Sequence, residues 1–470
     1  MNARPSFPAP TFAAPSAAPA AKRERRPDPW VPAFMVFVLL CGVLLLVPGI
    51  GPLRMALRIA TFGGSLVLLA GLRGRGGIHP AAPVGLLAML VVVIQVMSPG
   101  TTSLLAGTAH ATLYLAVMGP LFWVPRLDPD VRVIQRVALI LWVFHTASAA
   151  LGVLQVYFPG QFQPQISAVI ANRKDYLDAL MITTTSGIRV FRPMGLTDLP
   201  GGAAISGLYA VLFGTGFFLT RRTPWTIAAS ALSMVIGMTC LYLSQVRAVL
   251  VMTGIAVVMV VAILIWRRDL MRVWALGGTA VAMAIAGYGV AVALAGPSVA
   301  KRVATLTASR PGAVYYHERG HFFTELFTNI LPKSPFGMGL GHWGMMATYF
   351  GRPGDASPGV WVEIQWAGWI VDGGIPLALF YATALVMALW AAWKVARAPA
   401  PAGAPELPFW GIIVLAYGVG AFALTFSYPI FLSQPGMEFW LLISLLYAVA
   451  RHERRRARLA AAPAAAPATA

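Results

Sequence analysis

The chain has 470 residues, of which 58% are hydrophobic and only 11% are charged, and its mean hydropathy is +0.73. Soluble domains carry about 25% charged residues, so this composition excludes an ordinary soluble protein and indicates one that is embedded in a bilayer. The formal net charge is +19, but the basic residues form no single basic domain, so we expect no nucleic-acid partner. Cys41 and Cys240 lie in apolar runs without metal-binding spacing, so we expect no disulfide, metal site or cofactor.

Both ends of the chain are rich in Pro and Ala and carry basic clusters, and we expect residues 1–29 and 451–470 to be disordered tails. Between them lie apolar runs of about 20 residues, the length that a membrane-spanning helix needs. The sequence therefore predicts an all-α, polytopic membrane protein with about twelve transmembrane helices. The runs lie near 31–49, 53–72, 81–98, 102–124, 133–157, 199–219, 224–243, 248–266, 273–295, 364–393, 407–428 and 435–450.

Basic residues in the short loops predict the orientation of these helices, because cytoplasmic loops collect Lys and Arg. With the N-terminal tail inside, every basic short loop falls inside and both termini are cytoplasmic. Spans one to nine then occupy 30–295, a long periplasmic loop occupies 296–363, spans ten to twelve occupy 364–450, and a second outer segment runs from 158 to 198. The inner basic loops are 73–75, 126–132, 221–222, 267–272 and 394–397.

The long outer loop contains an amphipathic pattern followed by a glycine pattern. Apolar residues between Phe322 and Leu331 recur at helical spacing and Pro332 ends the pattern, which predicts an amphipathic helix on the membrane or over a cavity. Beyond it, Gly337, Gly339 and Gly341 alternate with apolar residues. This alternation predicts a turn whose backbone packs closely on a neighbour.

Basic residues gather in the same loop and at its start, with few acidic neighbours. A solvated loop, or cations resting on an anionic lipid surface, would account for them without any ligand. Alternatively they form a clamp for a diphosphate group, since Arg donates paired hydrogen bonds to phosphate and can hold it without a metal. The residues are Lys301, Arg302, Arg310, His317, Arg319 and His321.

Two further arginines lie next to spans on the same predicted side. Arg247 lies in a short turn between the seventh and eighth spans, so its side chain stays close to whatever occupies the outer cavity. Arg192 lies in a Pro- and Gly-rich segment that leads into the sixth span. An arginine at the membrane boundary can also extend its side chain to the headgroups, so a structural role stays open for both.

Glu363 is the acidic residue that the sequence most strongly connects with chemistry, because a carboxylate at the start of a span is unfavourable unless it is paired or used. It either pairs with a loop arginine or acts as a general base that accepts a proton from a sugar hydroxyl. Asp372, deeper in the tenth span, is expected to be structural. Glu438, in the last span, is a weaker candidate of the same kind as Glu363.

In chain order, four of these segments resemble motifs of the O-antigen ligase and Wzy polymerase superfamily, over roughly residues 190–450. The sequence departs from the family at Glu363 and Ile364, where the family has His and Asn, which leaves the catalytic base and the subfamily open. The segments are Arg192–Ala203, with Gly201 in place of an Asn; Ser244–Ala248, with Arg247 on the family's Arg; Arg319–Gly341, with Pro335, Gly337, Gly339 and Gly341 in register; and Glu363–Gly374, with Asp372 on the family's Glu.

The resemblance implies a fold related to the GT-C glycosyltransferases and a metal-independent, inverting transfer at the periplasmic face of the bacterial inner membrane. The donor would be an undecaprenyl-diphosphate-linked glycan. The acceptor would be a lipid-linked repeat, lipid A-core or a protein hydroxyl, and a chain-length regulator or flippase would be a further partner. Under this resemblance Glu363, Arg247 and Arg319 would be catalytic, and Arg192, Arg302, Arg310, His317 and His321 would bind the substrate.

A secondary transporter of a small anionic solute is the alternative, since about twelve spans suit a transporter equally well. Two features argue against it. No related halves are visible in the sequence, whereas many transporters are built from repeats. Charged residues within the predicted spans are few, whereas coupled transport depends on them.

Overall fold

The computed structural model describes residues 28–461 with several gaps and is predominantly helical over this range. The predicted tail residues 1–27 and 462–470 lie outside the described residues. The internal gaps are 48, 50, 75, 165–179, 184–186, 198–200, 221–222, 305–310, 351–359 and 361.

Each predicted span coincides with a helix, or for the fourth span with a bent pair of helices. The first half of the chain contains α1 (Trp30–Leu44), α2 (Gly51–Gly71), α3 (Ala82–Gln95), α4 (Leu104–Met118), α5 (Pro120–Trp123), α6 (Val131–Tyr157), α7 (Pro159–Phe162), β1 (Met181–Thr183) and β2 (Arg189–Phe191). The second half contains α8 (Ala203–Thr220), α9 (Pro224–Ser244), α10 (Arg247–Trp266), α11 (Leu270–Ala295), α12 (Pro297–Ala304), α13 (311–333), α14 (Gly344–Phe350), α15 (Gln365–Ala396), α16 (Leu407–Leu424) and α17 (Gln434–Ala461).

Among the described residues, eight helices are long and apolar enough to cross a membrane: α2, α6, α8, α9, α10, α11, α15 and α16. The pair α4 and α5, bent by 42°, would make a ninth, and α1 and α3 are apolar but shorter. The chain is therefore a mostly helical, multi-pass membrane protein. A total of twelve crossings stays a prediction.

The helices differ greatly in how much of their surface other helices cover. Over the most apolar 18-residue stretch of each helix, 83% of α8 and 78% of α16 is buried inside the protein. These two helices therefore form the centre of the bundle. In α2 and α11 the corresponding shares are 11% and 17%, so their apolar side chains face outward, as expected for helices that contact lipid.

In the part of the chain that the structure describes, which leaves out 221–222, the predicted inner basic loops meet at one end of the bundle. The Arg126 guanidinium donates to the carbonyl oxygen of Leu69, at 2.9 Å, and so satisfies the C-terminal end of α2. Arg267, at the end of α10, donates to the carbonyl oxygen of Ala396 at 2.7 Å. Contacts between these loops place them on the same side of the bundle.

The last helix extends into a segment that was predicted to be disordered. Helix α17 continues past residue 451 to Ala461. His452 lies 2.9 Å from Asp128 in the basic loop 126–132, and Glu453 is buried. These tertiary contacts order the beginning of the tail, and its composition did not reveal them.

The segments that the sequence predicts to lie outside contain, in their described residues, one small sheet and several helices. Strands β1 and β2 pair antiparallel, with Ile182 opposite Val190. Helix α13 is one continuous helix with two π-helical turns, and it begins well before the predicted amphipathic stretch and ends at Lys333, one residue beyond Pro332. Its predicted apolar side packs on the bundle through Leu326 and its neighbours, whereas Phe327 is 55% exposed.

Candidate functional site

Helix α13 and the segment before α15 meet at an ion pair between Arg319 and Glu363. The Nη1 atom of Arg319 contacts the Oε2 atom of Glu363, and the two side chains are 35% and 23% exposed. The structure therefore brings together two of the three residues predicted to be catalytic. The pairing is also the structural alternative that the sequence left open for Glu363.

The connection after α16 fixes both partners of this ion pair. The Tyr315 hydroxyl, one turn before Arg319, donates to the carbonyl oxygen of Phe426 at 2.9 Å. On the other side, the backbone N–H of Gln365 donates to the carbonyl oxygen of Thr425 at 2.9 Å. Burial raises the pKa of the Tyr315 phenol, and the nearby Arg319 partly opposes that increase, so the phenol stays a neutral hydrogen-bond donor.

A hollow of about 660 Å³ lies between α13, the glycine loop (residues 335–343) and the start of α15. His321 lines it and is exposed, and its ring centroid lies 4.2 Å from that of Phe322. Val360 and Ala367 line the hollow on either side of Glu363 in the sequence. The remaining lining residues include Tyr316, Glu325, Leu326 and Met338.

The glycine loop packs against α15 and against the segment just before α4, so closely that its glycines have no room for a side chain. Gly337 and Gly339 both have φ +98°. A Cβ atom on Gly337 would lie 2.8 Å from the backbone of Gly373, and one on Gly339 would lie 2.5 Å from the amide nitrogen of Thr101. Real Cβ atoms essentially never approach so closely, so these positions require glycine for space as well as for conformation. This is the close backbone packing that the alternating glycines predict.

Backbone hydrogen bonds join the glycine loop to a break inside α15. The helix is interrupted at Gly374, where φ is +65°. Just before the break, the carbonyl oxygen of Val371 accepts from the N–H of Met338 at 2.7 Å. Just after it, the N–H of Ile375 donates to the carbonyl oxygen of Pro335 at 2.9 Å. The break therefore exposes backbone groups that the loop satisfies.

Arg192 and the turn that carries Arg247 lie close together. A Cβ atom on Gly201 would lie 3.3 Å from Val246 Cγ2 and 3.8 Å from Arg192 Cδ, so both residues pack on Gly201. Arg247 is the first residue of α10. The structure thus brings together two of the segments that carry the family resemblance.

Gln155, which was not among the predicted site residues, holds the Arg192 segment in place. Its Oε1 atom accepts from the N–H groups of Met194 and Gly195, each at 2.8 Å, and its amide donates to the Gly195 carbonyl at 2.9 Å. Gln155 is fully buried at the end of α6. A polar residue near the end of an apolar run is the signal that could have identified it.

The Arg192–Arg247 group and the Arg319–Glu363 pair lie at the same end of the bundle. Helices α10 and α16 pack against each other, and a Cβ atom on Gly420 would lie 2.8 Å from Met252 Cγ. This contact brings the start of α10 level with the end of α16, since the two helices run in opposite directions. The residues just after the end of α16, Thr425 and Phe426, accept the hydrogen bonds that fix the segments of the Arg319–Glu363 pair.

Three of the predicted substrate-binding residues cannot be placed. Arg310 lies outside the described residues. The backbones of Arg302 and His317 belong to helices, but their side chains are outside what the structure describes. Their proposed contacts with substrate stay predictions.

Within the described residues, no group of three or more His, Cys, Asp or Glu side chains could hold a metal ion. Comparisons with known proteins add no identification: no protein-family model matches the chain, and no curated protein matches it.

Proposed function

We propose that the protein is a membrane glycosyltransferase that moves a glycan from undecaprenyl diphosphate to an acceptor hydroxyl at the periplasmic face. The observation that carries this proposal is the Arg319–Glu363 ion pair next to a hollow of about 660 Å³. Two segments that the family resemblance assigns to one site are far apart in the sequence and in contact in the structure. Arg319 and Glu363 do not line the hollow themselves, but residues close to each of them in the sequence do, among them His321 and Val360. A cation and a carboxylate are the two groups that this transfer needs.

In the proposed reaction the acceptor oxygen forms a bond to the anomeric carbon of the donor glycan. The bond between that carbon and the diphosphate oxygen breaks, and the diphosphate leaves with the electron pair. Glu363 accepts the acceptor's proton, and Arg319 keeps the carboxylate in place before the acceptor binds. Guanidinium groups then stabilise the negative charge on the leaving diphosphate, so no metal is needed.

Arg247 and Arg192 supply further positive charge at the same end of the bundle in this proposal. Arg247 contributes with Arg319 to the diphosphate clamp, and Arg192 is held beside Arg247 through Gly201. Arg302, Arg310, His317 and His321 are proposed to bind the rest of the donor or the acceptor. His321 has the clearest support, because it lines the hollow.

The finer topology belongs to the same proposal. About twelve helices cross the bacterial inner membrane, both termini are cytoplasmic, and the loop 296–363 is periplasmic. The gathering of basic loops at one end of the bundle supports this orientation. The acceptor is another lipid-linked repeat in a polymerase and lipid A-core in a ligase, and a chain-length regulator or flippase is a proposed partner.

Turnover of a lipid-linked donor tests the proposal directly. Purified protein in lipid nanodiscs is given an undecaprenyl-diphosphate-linked oligosaccharide and an acceptor, and the release of undecaprenyl diphosphate is measured. We expect release with the wild type and its loss in Arg319→Ala and Arg247→Ala. Arg454→Ala is the matched control, since Arg454 is exposed at the far end of α17 and should leave release unchanged. Solute transport without any release would instead support the transporter alternative.

A further inference from the structure

Asp372 is fully buried one residue before the glycine pair in α15, and it contacts two other parts of the chain. The Tyr114 hydroxyl of α4 donates to its Oδ2 atom at 2.7 Å. The Trp343 indole N–H, at the end of the glycine loop, donates to its Oδ1 atom at 2.9 Å. Each carboxylate oxygen of Asp372 therefore has a donor from a different segment.

His110 completes this Asp372 cluster (Asp372, Tyr114, Trp343 and His110). Its Nδ1 atom accepts a hydrogen bond from the N–H of Gly341 at 3.2 Å, so the proton of the neutral ring is on Nε2. That Nε2 atom lies 3.5 Å from Asp372 Oδ2. His110 thus joins the loop backbone to the same carboxylate.

The Asp372 cluster reaches the candidate site through Trp343. A Cβ atom on Gly368 would lie 2.6 Å from the Trp343 ring, so the indole packs directly on the first turns of α15. Next to Trp343, the carbonyl oxygen of His342 accepts from the N–H of Val360 at 2.9 Å. Glu363 lies between Val360 and Gly368 in the sequence, so the chain on both sides of it is fixed to the end of the glycine loop.

We infer that Asp372 is a positioning residue: it fixes the glycine loop and Trp343 against α15 and thereby places Glu363 beside Arg319. The inference of a positional role for catalysis rests on the proposed function, whereas the fixing of the loop does not. If Asp372 loses one acceptor oxygen, a buried donor loses its partner and the loop separates from α15 more often.

Thiol labelling at Leu340 tests the fixing of the loop. Leu340 is fully buried in the glycine loop, so a cysteine there reacts with a maleimide only when the loop opens. Cys41 and Cys240 are buried, and the chain without Leu340→Cys supplies their background rate. We expect Asp372→Asn to increase the labelling rate by about tenfold, the effect of losing one buried hydrogen bond.

Glu438→Gln is the matched control, because Glu438 is another fully buried carboxylate that accepts from Tyr209 and Gln434 in α8 and α17. It should leave labelling at Leu340→Cys unchanged. Trp343→Phe removes only the indole donor, so it serves as the second variant if Asp372→Asn does not fold. If Asp372→Asn and Trp343→Phe, or whichever of the two folds, leave the labelling rate unchanged, the inference is overturned.

Kinetics separate positioning from general loss of structure. Per folded molecule, Asp372→Asn or Trp343→Phe should lower kcat for glycan transfer by about tenfold and change KM for the donor by less than about twofold, because Glu363 moves while the cationic groups stay. A purely structural role would reduce only the amount of folded protein, and that result would overturn the positional part. If the wild type shows no turnover, the proposed function fails, and labelling still decides whether Asp372 fixes the loop.

Discussion

Arg319 and Glu363 hold each other in the free protein, and this contact bears on both interpretations of Glu363. A carboxylate that a guanidinium contacts is held in one orientation, which suits a base as well as a structural partner. The amide of glutamine has the same shape but accepts no proton, so Glu363→Gln separates the two roles. The two roles differ in whether the Glu363 carboxylate accepts a proton, and the substitution that separates them requires no change in the fold.

We expect Glu363→Gln to lower kcat at least about 100-fold, because general-base catalysis typically contributes that much. Arg319→Lys, which keeps the charge but loses the paired donors, should weaken activity less than Arg319→Ala. Initial rates of undecaprenyl diphosphate release measure both effects. Near-normal rates in Glu363→Gln would exclude it as the base and direct attention to His321, which lines the same hollow.

His79 makes the stability of the protein depend on pH. Its ring is fully buried in the loop before α3, where Nδ1 accepts from the N–H of Ala81 at 3.1 Å. Burial lowers the pKa of His79 to about 4, whereas an unfolded histidine has a pKa near 6.5. Between these values the unfolded chain binds more protons than the folded one. Stability is therefore lost as the pH falls from about 6.5 towards 4.

Replacing His79 by Asn should remove this dependence, since an Asn side chain can still accept from the N–H of Ala81. Relative to the variant, the wild type should lose about 2 kcal/mol of stability between pH 7 and pH 4.5. Unfolding curves in detergent at the two pH values measure the difference. An equal difference at both values would contradict the assignment of a lowered pKa to His79.

At the scale of elements, the glycine loop and the break in α15 depend on each other. The break leaves backbone groups without helical partners, and the loop supplies them with partners. Two glycine positions allow separate tests of space and conformation. Gly339 has φ +98° and no room for a Cβ atom, whereas Gly344 has φ +66° and no atom within 4 Å of one.

Gly339→Ala should therefore destabilise the protein by about 3 kcal/mol or more and abolish transfer, because the new Cβ atom would press on the Thr101 backbone. Gly344→Ala should cost only about 1–2 kcal/mol, the strain of a left-handed backbone conformation at a residue with a side chain. Thermal unfolding of the two purified variants measures the difference. Equal losses would mean that conformation alone, and not the lack of space, requires glycine.

The sequence predicted these elements well where the residues that determine an element lie within the element itself. Run length and apolarity alone locate α8, α10 and α16, and alternating glycines alone predict a tightly packed turn. The sequence did not predict the break at Gly374, the early start of α13 or the partners of Asp372. Tyr114 lies 258 positions from Asp372, and no local pattern indicates which of many distant hydroxyl groups will reach a given carboxylate.

At the scale of the whole molecule, the described basic loops lie at one end of the bundle and the candidate site involves the opposite ends of the same helices. Helix α10 carries Arg247 at its start and Arg267 just after its end. Helix α16 contacts the site just after its C-terminal end, through Thr425 and Phe426. The site and the basic loops are therefore separated by the length of the bundle.

A reporter enzyme that is active only outside the cytoplasm tests this orientation. Fused after residue 400, between α15 and α16, an alkaline phosphatase should be inactive. Fused after residue 345, just beyond the glycine loop, it should be active, because that segment is predicted to be periplasmic. Activity at 400 with none at 345 would invert the predicted topology and remove the site from the periplasmic face.

The contact between the glycine loop and α4 also constrains how the protein is made. Thr102 and Leu340 contact each other across 238 positions of the chain. At synthesis rates of about 5–20 residues per second, α4 emerges roughly 10–50 s before the loop that covers Thr101 and His110. During that interval the nascent chain holds uncovered polar groups at and just before the first turns of α4. A chain that ends before residue 335 would therefore lack the loop that covers these groups.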